Sequence, residues 1–228
     1  MNKKKPSGRK LKNKILKLLT QNDFKKGLRE ICQLPARQVV NPLFSFLYSL
    51  DEIIKWRSIT ALGEVTARLA ENDLESSRII MRRLMWNLND ESGGIGWGSP
   101  EAMGEIMARS KKLADEYAHI LVSYIRPDGN FLEHEVLQRG VLWGLGRLAH
   151  ARPDIVQGAA AFLTQYLASE DPVIRGLAVW AAESLPDEIT LPHLKQLTDD
   201  KASLKLFIGE KLVELTVGDL AQKALAES

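Results

Sequence analysis

Apolar residues recur at intervals of three and four along most of the chain, as in Leu113, Tyr117, Ile120, Leu121 and Tyr124. This spacing places them on one face of an α-helix. Runs that alternate apolar and polar residues are scarce, and no Asn-Gly pair marks a tight hairpin. The one Asp-Gly pair follows Pro127 between helical stretches. The pattern therefore predicts an all-α protein.

A twelve-residue frame returns along the chain. Ile54–Val65 and Ile95–Ile106 carry Trp, Ser, Ala, Gly and Glu at matching positions. The frame fits again at Leu137–Leu148 and Ile174–Leu185, and a weaker fifth copy runs from Leu204 to Leu215. Successive first positions (54, 95, 137 and 174) are separated by 41, 42 and 37 residues. A period of this length indicates helix pairs stacked into a solenoid.

Two aspartates complete this frame. Asp51 and Asp171 stand three residues before Ile54 and Ile174. The combination resembles D-x-x-[VI]-[RK]-x-x-A-x-x-A-L-G, the signature of HEAT-like (PBS-lyase-type) repeats, and the resemblance covers about 36–215. It implies a right-handed α-α superhelix of about five helix pairs. In such repeats the Asp caps the second helix, and Ala and Gly let neighbouring helices approach closely.

The frame assigns helices to the whole chain. We predict first helices near 36–50, 73–88, 109–126, 153–169 and 188–199. We predict second helices near 53–70, 99–108, 131–150, 172–185 and 201–215. Helical stretches at 9–32 and 217–226 close the two ends, since solenoids need polar end layers. The predicted organisation is a basic segment with capping helices (1–35), the repeats (36–215) and a C-terminal cap (216–228).

The second repeat departs from the others where its second helix should begin. Residues 92–100 contain four glycines within six positions, and a glycine inside a helix costs about 1 kcal/mol relative to alanine. The helix should therefore start late, with Ser99 as N-cap and Pro100 at N1, the first helical position. Trp97 then either projects from a flexible loop or fills the core position that Trp56 occupies in the first repeat.

Carboxylates and histidines cluster in sequence around this departure. Glu101 and Glu105 lie on one helical face, and so do Glu116 and His119; Glu133-His134-Glu135 precedes the following helix. Antiparallel neighbouring helices could bring these groups together. An exposed Trp supplies contact area, and carboxylates select a basic or amine-bearing partner. The candidate binding residues are Trp97, Glu101, Glu105, Glu116, His119, Glu133 and Glu135.

Two resemblances to enzymes supply alternative functions. His134-Glu135 is similar to one of the His-Glu pairs through which deoxyhypusine hydroxylase, a HEAT-repeat enzyme, holds iron; this chain has one such pair, so we expect no metal and no cofactor. The spacing Trp97-x-x-x-Glu101 resembles the W-x-x-x-D element of HEAT-like DNA glycosylases. That resemblance implies that Trp97 stacks on the damaged nucleotide and that Glu101 stabilises positive charge on the sugar.

Charge is distributed unevenly between the N-terminus and the rest of the chain. Residues 1–30 carry eleven Lys and Arg against two acids, a net +9, while 31–228 carries 20 basic and 27 acidic residues, a net −7. A body with this charge argues against a protein that wraps a phosphate backbone. The basic N-terminus is expected to be a solvated tail, with contact to nucleic acid as the alternative.

The remaining composition limits the class of protein. The single Cys32 excludes an internal disulfide framework, and no apolar run reaches the roughly 18 residues of a membrane span. No signal peptide is recognised, so a cytoplasmic location is expected. The sequence therefore predicts a non-catalytic scaffold or adaptor that binds a protein partner on its concave face. A DNA glycosylase or other nucleic-acid-binding repair protein, and a metal-binding HEAT enzyme, are the alternatives.

Overall fold

The computed structural model describes residues 8–89 and 96–227, and most of them are helical. The N-terminal half contains α1 (Gly8–Leu19), α2 (Phe24–Cys32), α3 (Ala36–Phe46), α4 (Glu52–Asn72), α5 (Leu74–Leu88) and α6 (Ser99–Arg109). The C-terminal half contains α7 (Lys111–Ser123), α8 (Glu135–Ala149), α9 (Pro153–Val156), α10 (Thr164–Leu167), α11 (Pro172–Glu183), α12 (Leu191–Gln196) and α13 (Val217–Ala226). A two-stranded sheet, β1 (Ser203–Ile208) and β2 (Lys211–Thr216), separates α12 from α13.

The helices stack in consecutive pairs, which confirms the predicted all-α solenoid. The second helices α4, α6, α8 and α11 pack side by side in chain order, and each first helix packs against its own second helix. One continuous apolar core runs between the two layers. Small residues permit the close approach of the second helices, because a Cβ atom on Gly104 of α6 would overlap the backbone of Gly144 of α8.

The two signature aspartates begin the second helices, as predicted. Asp51 Oδ1 accepts hydrogen bonds from the backbone N–H groups of Ile53 (2.9 Å) and Ile54 (3.1 Å). Asp171 Oδ1 accepts from Val173 N–H at 2.8 Å. These bonds satisfy N–H groups that have no partner within the helix. The sixth helix differs: it starts at Ser99, as expected, but its N-cap is Gly98 rather than Ser99.

Arginine side chains connect consecutive layers. Arg139 of α8 donates two hydrogen bonds to Asp171 Oδ2, at 2.6 and 2.9 Å. Arg175 of α11 donates two to Asp200 Oδ2, at 2.7 and 3.0 Å. Both arginines therefore hold adjacent layers of the solenoid together.

The first helix of the fourth pair is broken, so the single helix predicted over 153–169 is wrong. Its place is taken by α9, a 3₁₀ turn over Gln157–Phe162, and α10. Val156 leaves helical geometry, with φ −123° and ψ 14°. The next residues include Gly158, which weakens a continuous helix.

The largest departure from prediction is the hairpin, because a second helix was expected over 201–215. The strands β1 and β2 are antiparallel, and their register runs from Ser203 opposite Thr216 to Ile208 opposite Lys211. Gly209 and Glu210 form the turn with φ of 56° and 67°, the geometry of a type I′ hairpin turn. Leu204, Phe207, Ile208, Leu212 and Leu215 have helical spacing, whereas Leu204, Leu206 and Ile208 have strand spacing. The apolar pattern is therefore compatible with either element. A glutamate at positive φ is also uncommon, so the turn carries no recognised sequence signal.

The last helix, α13, serves as the second helix of the fifth pair, the role that was predicted for residues 201–215. Residues 217–226 form a helix as expected, and α13 packs against both α11 and α12. It therefore completes a fifth pair, with the hairpin inserted between its members. Thr216 and Asp219 form a capping box at its start: Thr216 Oγ1 accepts from Asp219 N–H, and Asp219 Oδ2 accepts from Thr216 N–H.

Candidate functional site

Trp97 lies in a turn where three layers of the solenoid meet. Gly98 has φ +75°, and a Cβ atom there would come within 3.0 Å of Leu47 in the α3–α4 connection. A Cβ atom on Gly96 would lie 3.2 Å from Leu137 of α8. The two glycines therefore bring the turn against its neighbours, and the indole of Trp97 remains 38% exposed. The glycine-rich residues 90–95, for which a flexible loop was predicted, lie outside the described part of the chain.

Trp97 is one of several exposed apolar residues at the edge of the solenoid where second helices begin. Leu50 precedes α4 and is 95% exposed, and Ile53 follows in its first turn. Phe131 precedes α8, and Val136 follows in its first turn; both are exposed. We call Leu50, Ile53, Trp97, Phe131 and Val136 the helix-start edge.

Acidic side chains accompany the helix-start edge. Asp51 and Glu52 lie at the beginning of α4, and Glu133 and Glu135 lie at the beginning of α8; all four are exposed. Carboxylates at helix N-termini are stabilised by the helix dipole. Two of the predicted binding residues, Glu133 and Glu135, thus lie on the same edge as a third, Trp97.

Glu101, by contrast, lies inside the protein. Its side chain accepts a hydrogen bond from Lys55 Nζ at 2.8 Å, and the residue is 4% exposed. Its second oxygen, Oε2, has no hydrogen-bond partner among the described residues and packs against Gly140. A Cβ atom on Gly140 would lie 2.7 Å from that oxygen, so the glycine makes room for the carboxylate.

Glu105 is also buried, and it forms the centre of an ion-pair network. Its Oε1 accepts from Arg109 Nε and its Oε2 from Arg147 Nε, both at 2.6 Å. Arg109 also donates to Glu64 at 2.6 Å, and Glu64 pairs with Arg68 at 2.7 Å. The network joins α4, α6 and α8, and it satisfies both oxygens of Glu105 within the protein.

Glu116 and His119 lie elsewhere, on the first-helix layer. Glu116 of α7 binds Arg78 of α5 through two hydrogen bonds, and this contact lowers the pKa of the Glu116 carboxyl. His119 is exposed one turn further along α7. The structure does not bring this pair together with Glu101 and Glu105, whose partners belong to α4, α6 and α8.

A row of aromatic rings on the second-helix face was not predicted as a unit. Trp56 and Trp143 have ring centroids 4.6 Å apart, and Trp143 and Trp180 are 5.9 Å apart. Phe207 of β1 stacks on Trp56, at 5.0 Å and with an interplanar angle of 5°. The hairpin therefore covers part of the face on which partner binding was predicted. Trp143 and Trp180 share the seventh position of their frames, and Trp56 stands one helical turn earlier, at the third position of its own. The shared position is the signal that could have revealed part of the row.

The hairpin separates two cavities on this face. One has a volume of about 470 Å³ and is lined by Trp56 and Trp143 together with Lys55, Glu101, Val136, Arg139 and Glu214. The other has a volume of about 400 Å³ and is lined by Glu105, Arg147, His150, Glu183, Lys223 and Ile208 among others. The first cavity opens beside the helix-start edge, because Val136 belongs to both and Glu52, next to Ile53 of that edge, also lines the cavity.

His150 contributes a pH-dependent contact to the second cavity. Its Nε2–H donates to the Trp180 carbonyl (3.1 Å), and its Nδ1 accepts from the Ser184 hydroxyl (2.6 Å). Burial lowers the pKa of His150, against an opposing effect of the nearby Glu183 carboxylate. The charge of Lys223 also lowers the pKa of His150, and the charge of Glu227 raises it.

We expect this histidine to make stability pH-dependent. Its folded pKa lies below the unfolded value of about 6.5, so the unfolded state binds the proton first. The contribution of neutral His150 to the free energy of unfolding is fully present above about pH 6.5 and is lost as the pH falls. Between pH 7 and pH 5, the free energy of unfolding should therefore fall less for His150→Gln than for the natural protein, as measured by denaturant unfolding. An equal loss in both would contradict this assignment.

Two features of the described structure bear on the enzymatic alternatives. Within residues 8–89 and 96–227, no group of three or more His, Cys, Asp or Glu is placed to hold a metal ion. The spacing Trp97-x-x-x-Glu101 does not give two groups facing one ligand: Trp97 lies on the edge, whereas Glu101 is buried and paired with Lys55. In the described part of the chain, the helices lack the length and apolar character needed to cross a membrane.

Comparison with known proteins gives a fold but no family. No family model matches the chain. An uncharacterized protein of Archaeoglobus fulgidus is 24% identical over 179 residues, which are 78% of this chain and 91% of that protein.

Three similar solved structures are designed or engineered proteins. A designed armadillo repeat protein in complex with the peptide (KR)4 has a TM-score of 0.55 at 17% identity and covers 95% of this chain and 98% of its own. An engineered protein has a TM-score of 0.54 at 17% sequence identity, and the match covers 96% of each chain. A structure of armadillo repeat proteins designed for modular peptide recognition has a TM-score of 0.52 at 19% sequence identity, and the match covers 95% of this chain and 99% of that one. These likenesses establish a helical-repeat solenoid; assignment to HEAT repeats in particular stays a prediction.

Proposed function

We propose that this protein is a non-catalytic adaptor that binds a segment of a partner protein carrying basic and apolar side chains. The surface is the helix-start edge with the adjoining, uncovered part of the concave second-helix face. The observation that carries the proposal is the exposure of Trp97 at an edge where the neighbouring second helices α4 and α8 begin with exposed apolar residues and four exposed carboxylates.

The apolar part of this surface supplies the binding free energy. Exposed apolar residues that occur singly need no explanation, whereas several at one edge of a fold, including a tryptophan, favour an interaction site. Tryptophan is prominent among the residues that dominate protein interfaces, because one side chain removes a large area from water. A stacked solenoid holds such residues in place before binding, so little conformational entropy is lost.

The acidic part selects the partner. Asp51, Glu52, Glu133 and Glu135 favour approach of a lysine- or arginine-containing segment and disfavour an acidic one. The same fold accommodates a basic peptide in the designed armadillo protein that was solved with (KR)4. Glu101 and Glu105 lie behind this surface, where they hold neighbouring helices together, and we place Glu116 and His119 outside it.

Capture experiments with variants of single exposed residues test the proposal. Partners are captured from nuclease-treated lysate on the natural protein, on Trp97→Ala and on Ile79→Ala, a matched change of an exposed apolar residue on α5. We expect Ile79→Ala to retain capture. Trp97→Ala should weaken binding of the captured protein at least about tenfold, the effect of removing a central interface residue. Far-UV circular dichroism verifies that both variants keep their helices.

Two results would contradict the proposal. Equal binding by Trp97→Ala and Ile79→Ala would remove the helix-start edge from the interface. Loss of all binding after nuclease treatment would instead favour nucleic acid as the partner, and release of alkylated bases from DNA would then be the next measurement.

A further inference from the structure

The hairpin is inserted into the concave face with one strand inward and one strand outward. Side chains of β1 pack into the solenoid: Leu204 and Leu206 are buried, and Phe207 stacks on Trp56. The carbonyl of Phe207 accepts a hydrogen bond from Trp143 Nε1 at 3.2 Å. The free edge of β1 is therefore against the floor of the face. All residues of β2 are exposed or half-buried.

The turn decides which backbone groups of β2 point away from β1. In a two-residue turn the residues on either side, Ile208 and Lys211, are joined by the turn hydrogen bond. Hydrogen-bonded and non-hydrogen-bonded pairs alternate from there, so the pairs of Phe207 with Leu212 and Lys205 with Glu214 direct their N–H and C=O groups outward. The Phe207 carbonyl obeys this rule, and so does Thr216 N–H, which donates to Asp219.

Four outward groups thus remain at the centre of β2. They are the N–H and C=O of Leu212 and of Glu214. The sheet contains two strands in the described chain, and neither residue forms a further backbone hydrogen bond there. These groups have the spacing needed to pair with one additional strand.

The side chains of β2 specify what such a strand should carry. Glu214 is exposed and makes no ion pair within residues 8–89 and 96–227. Lys205, on the neighbouring strand, pairs instead with Glu52 at 3.6 Å. A cross-strand cation opposite Glu214 would therefore meet an acid that is not already neutralised. Val213 points to the other face and is exposed, so an apolar residue suits that side.

We propose that the outer edge of β2 takes up an extended segment of the partner protein as a third strand. Within that segment, a lysine or arginine lies opposite Glu214 and an apolar residue precedes or follows it. The inference rests on the proposed function and deepens it by naming the way the partner binds. Side chains of the added strand alternate between the two faces of the sheet.

A second copy of the chain fits this edge poorly. In an antiparallel pair of β2 edges, outward-directed residues lie opposite outward-directed residues, and these are Leu212 and Glu214. Glu214 would therefore lie opposite Leu212 or the other copy's Glu214. It would not lie opposite Lys211, because the backbone N–H and C=O of Lys211 are directed toward β1. Like charges directly opposite destabilise a sheet, and a leucine leaves the carboxylate unmatched.

The test uses a capped hexapeptide with the repeated sequence Val-Lys and the full-length protein. Amide exchange measured by NMR should slow at least tenfold for Leu212 and Glu214 when the peptide saturates the protein. The same peptide with methyl groups on the backbone nitrogens of its lysines should bind at least tenfold more weakly, because those nitrogens can no longer donate hydrogen bonds to β2. A Val-Glu hexapeptide should also bind at least tenfold more weakly, and Glu214→Lys should reverse that preference.

Four results would contradict the proposal that β2 takes up a third strand from a partner protein. Binding that N-methylation or Glu214→Lys leaves unchanged would exclude strand addition. Binding that Trp97→Ala abolishes, with unchanged exchange at Leu212 and Glu214, would exclude β2 while retaining the proposed function. Failure of the Val-Lys peptide to bind anywhere would contradict both proposals. Protection of the same two amides in the free protein, increasing with protein concentration, would identify a second copy as the occupant.

Discussion

Replacing Gly104 with alanine is expected to lower the free energy of unfolding by about 3 kcal/mol, even though alanine is the better helix former. The added Cβ atom would overlap the backbone of Gly144, where α6 crosses α8. A backbone cannot rotate away as a side chain can, so the two helices would have to separate. Urea or guanidinium unfolding followed by circular dichroism measures the change.

Gly158→Ala is the matched control for this prediction. A Cβ atom on Gly158 meets nothing within 4 Å, so the substitution should change stability by less than about 1 kcal/mol. A Gly104→Ala protein as stable as Gly158→Ala would show that α6 and α8 do not approach as closely as the structure indicates.

Removing the Glu105 carboxylate is expected to lower the free energy of unfolding by about 3 kcal/mol. Glu105 is 3% exposed and accepts from both Arg109 and Arg147 at 2.6 Å. In Glu105→Ala, Arg109 keeps its contact with Glu64, whereas Arg147 loses its hydrogen-bonded carboxylate and remains only partly solvated. An incompletely solvated charge without a partner accounts for most of the expected cost.

Comparison with an exposed ion pair isolates this effect. Glu75→Ala breaks the contact with Arg82 on the surface of α5 and should cost less than about 1 kcal/mol. Similar losses for Glu105→Ala and Glu75→Ala would mean that the buried network adds nothing beyond an ordinary surface pair. Chemical denaturation of both variants at the same salt concentration makes the comparison direct.

The candidate site could be predicted from the sequence only in part. Trp97 attracts attention because glycines replace helix-forming residues around it, and this signal is local in sequence. The same signal cannot show that Glu101 lies inward beside Gly140, since that depends on the position of another helix. Glu116 and His119 share a helical face as expected, but they lie on the first-helix layer, away from the buried glutamates.

The sequence by itself determines the repeat architecture of this protein. The spacing of apolar residues, the capping aspartates and the small residues of each frame act between neighbours in the chain or between adjacent layers. Such short-range preferences are readable without coordinates. The tertiary structure alone decides the rest. The segment 203–216 satisfies helix and strand periods alike, and its β conformation results from packing Leu204 against Gly176 and Phe207 against Trp56. Those contacts join residues far apart in the chain, so no local preference encodes them.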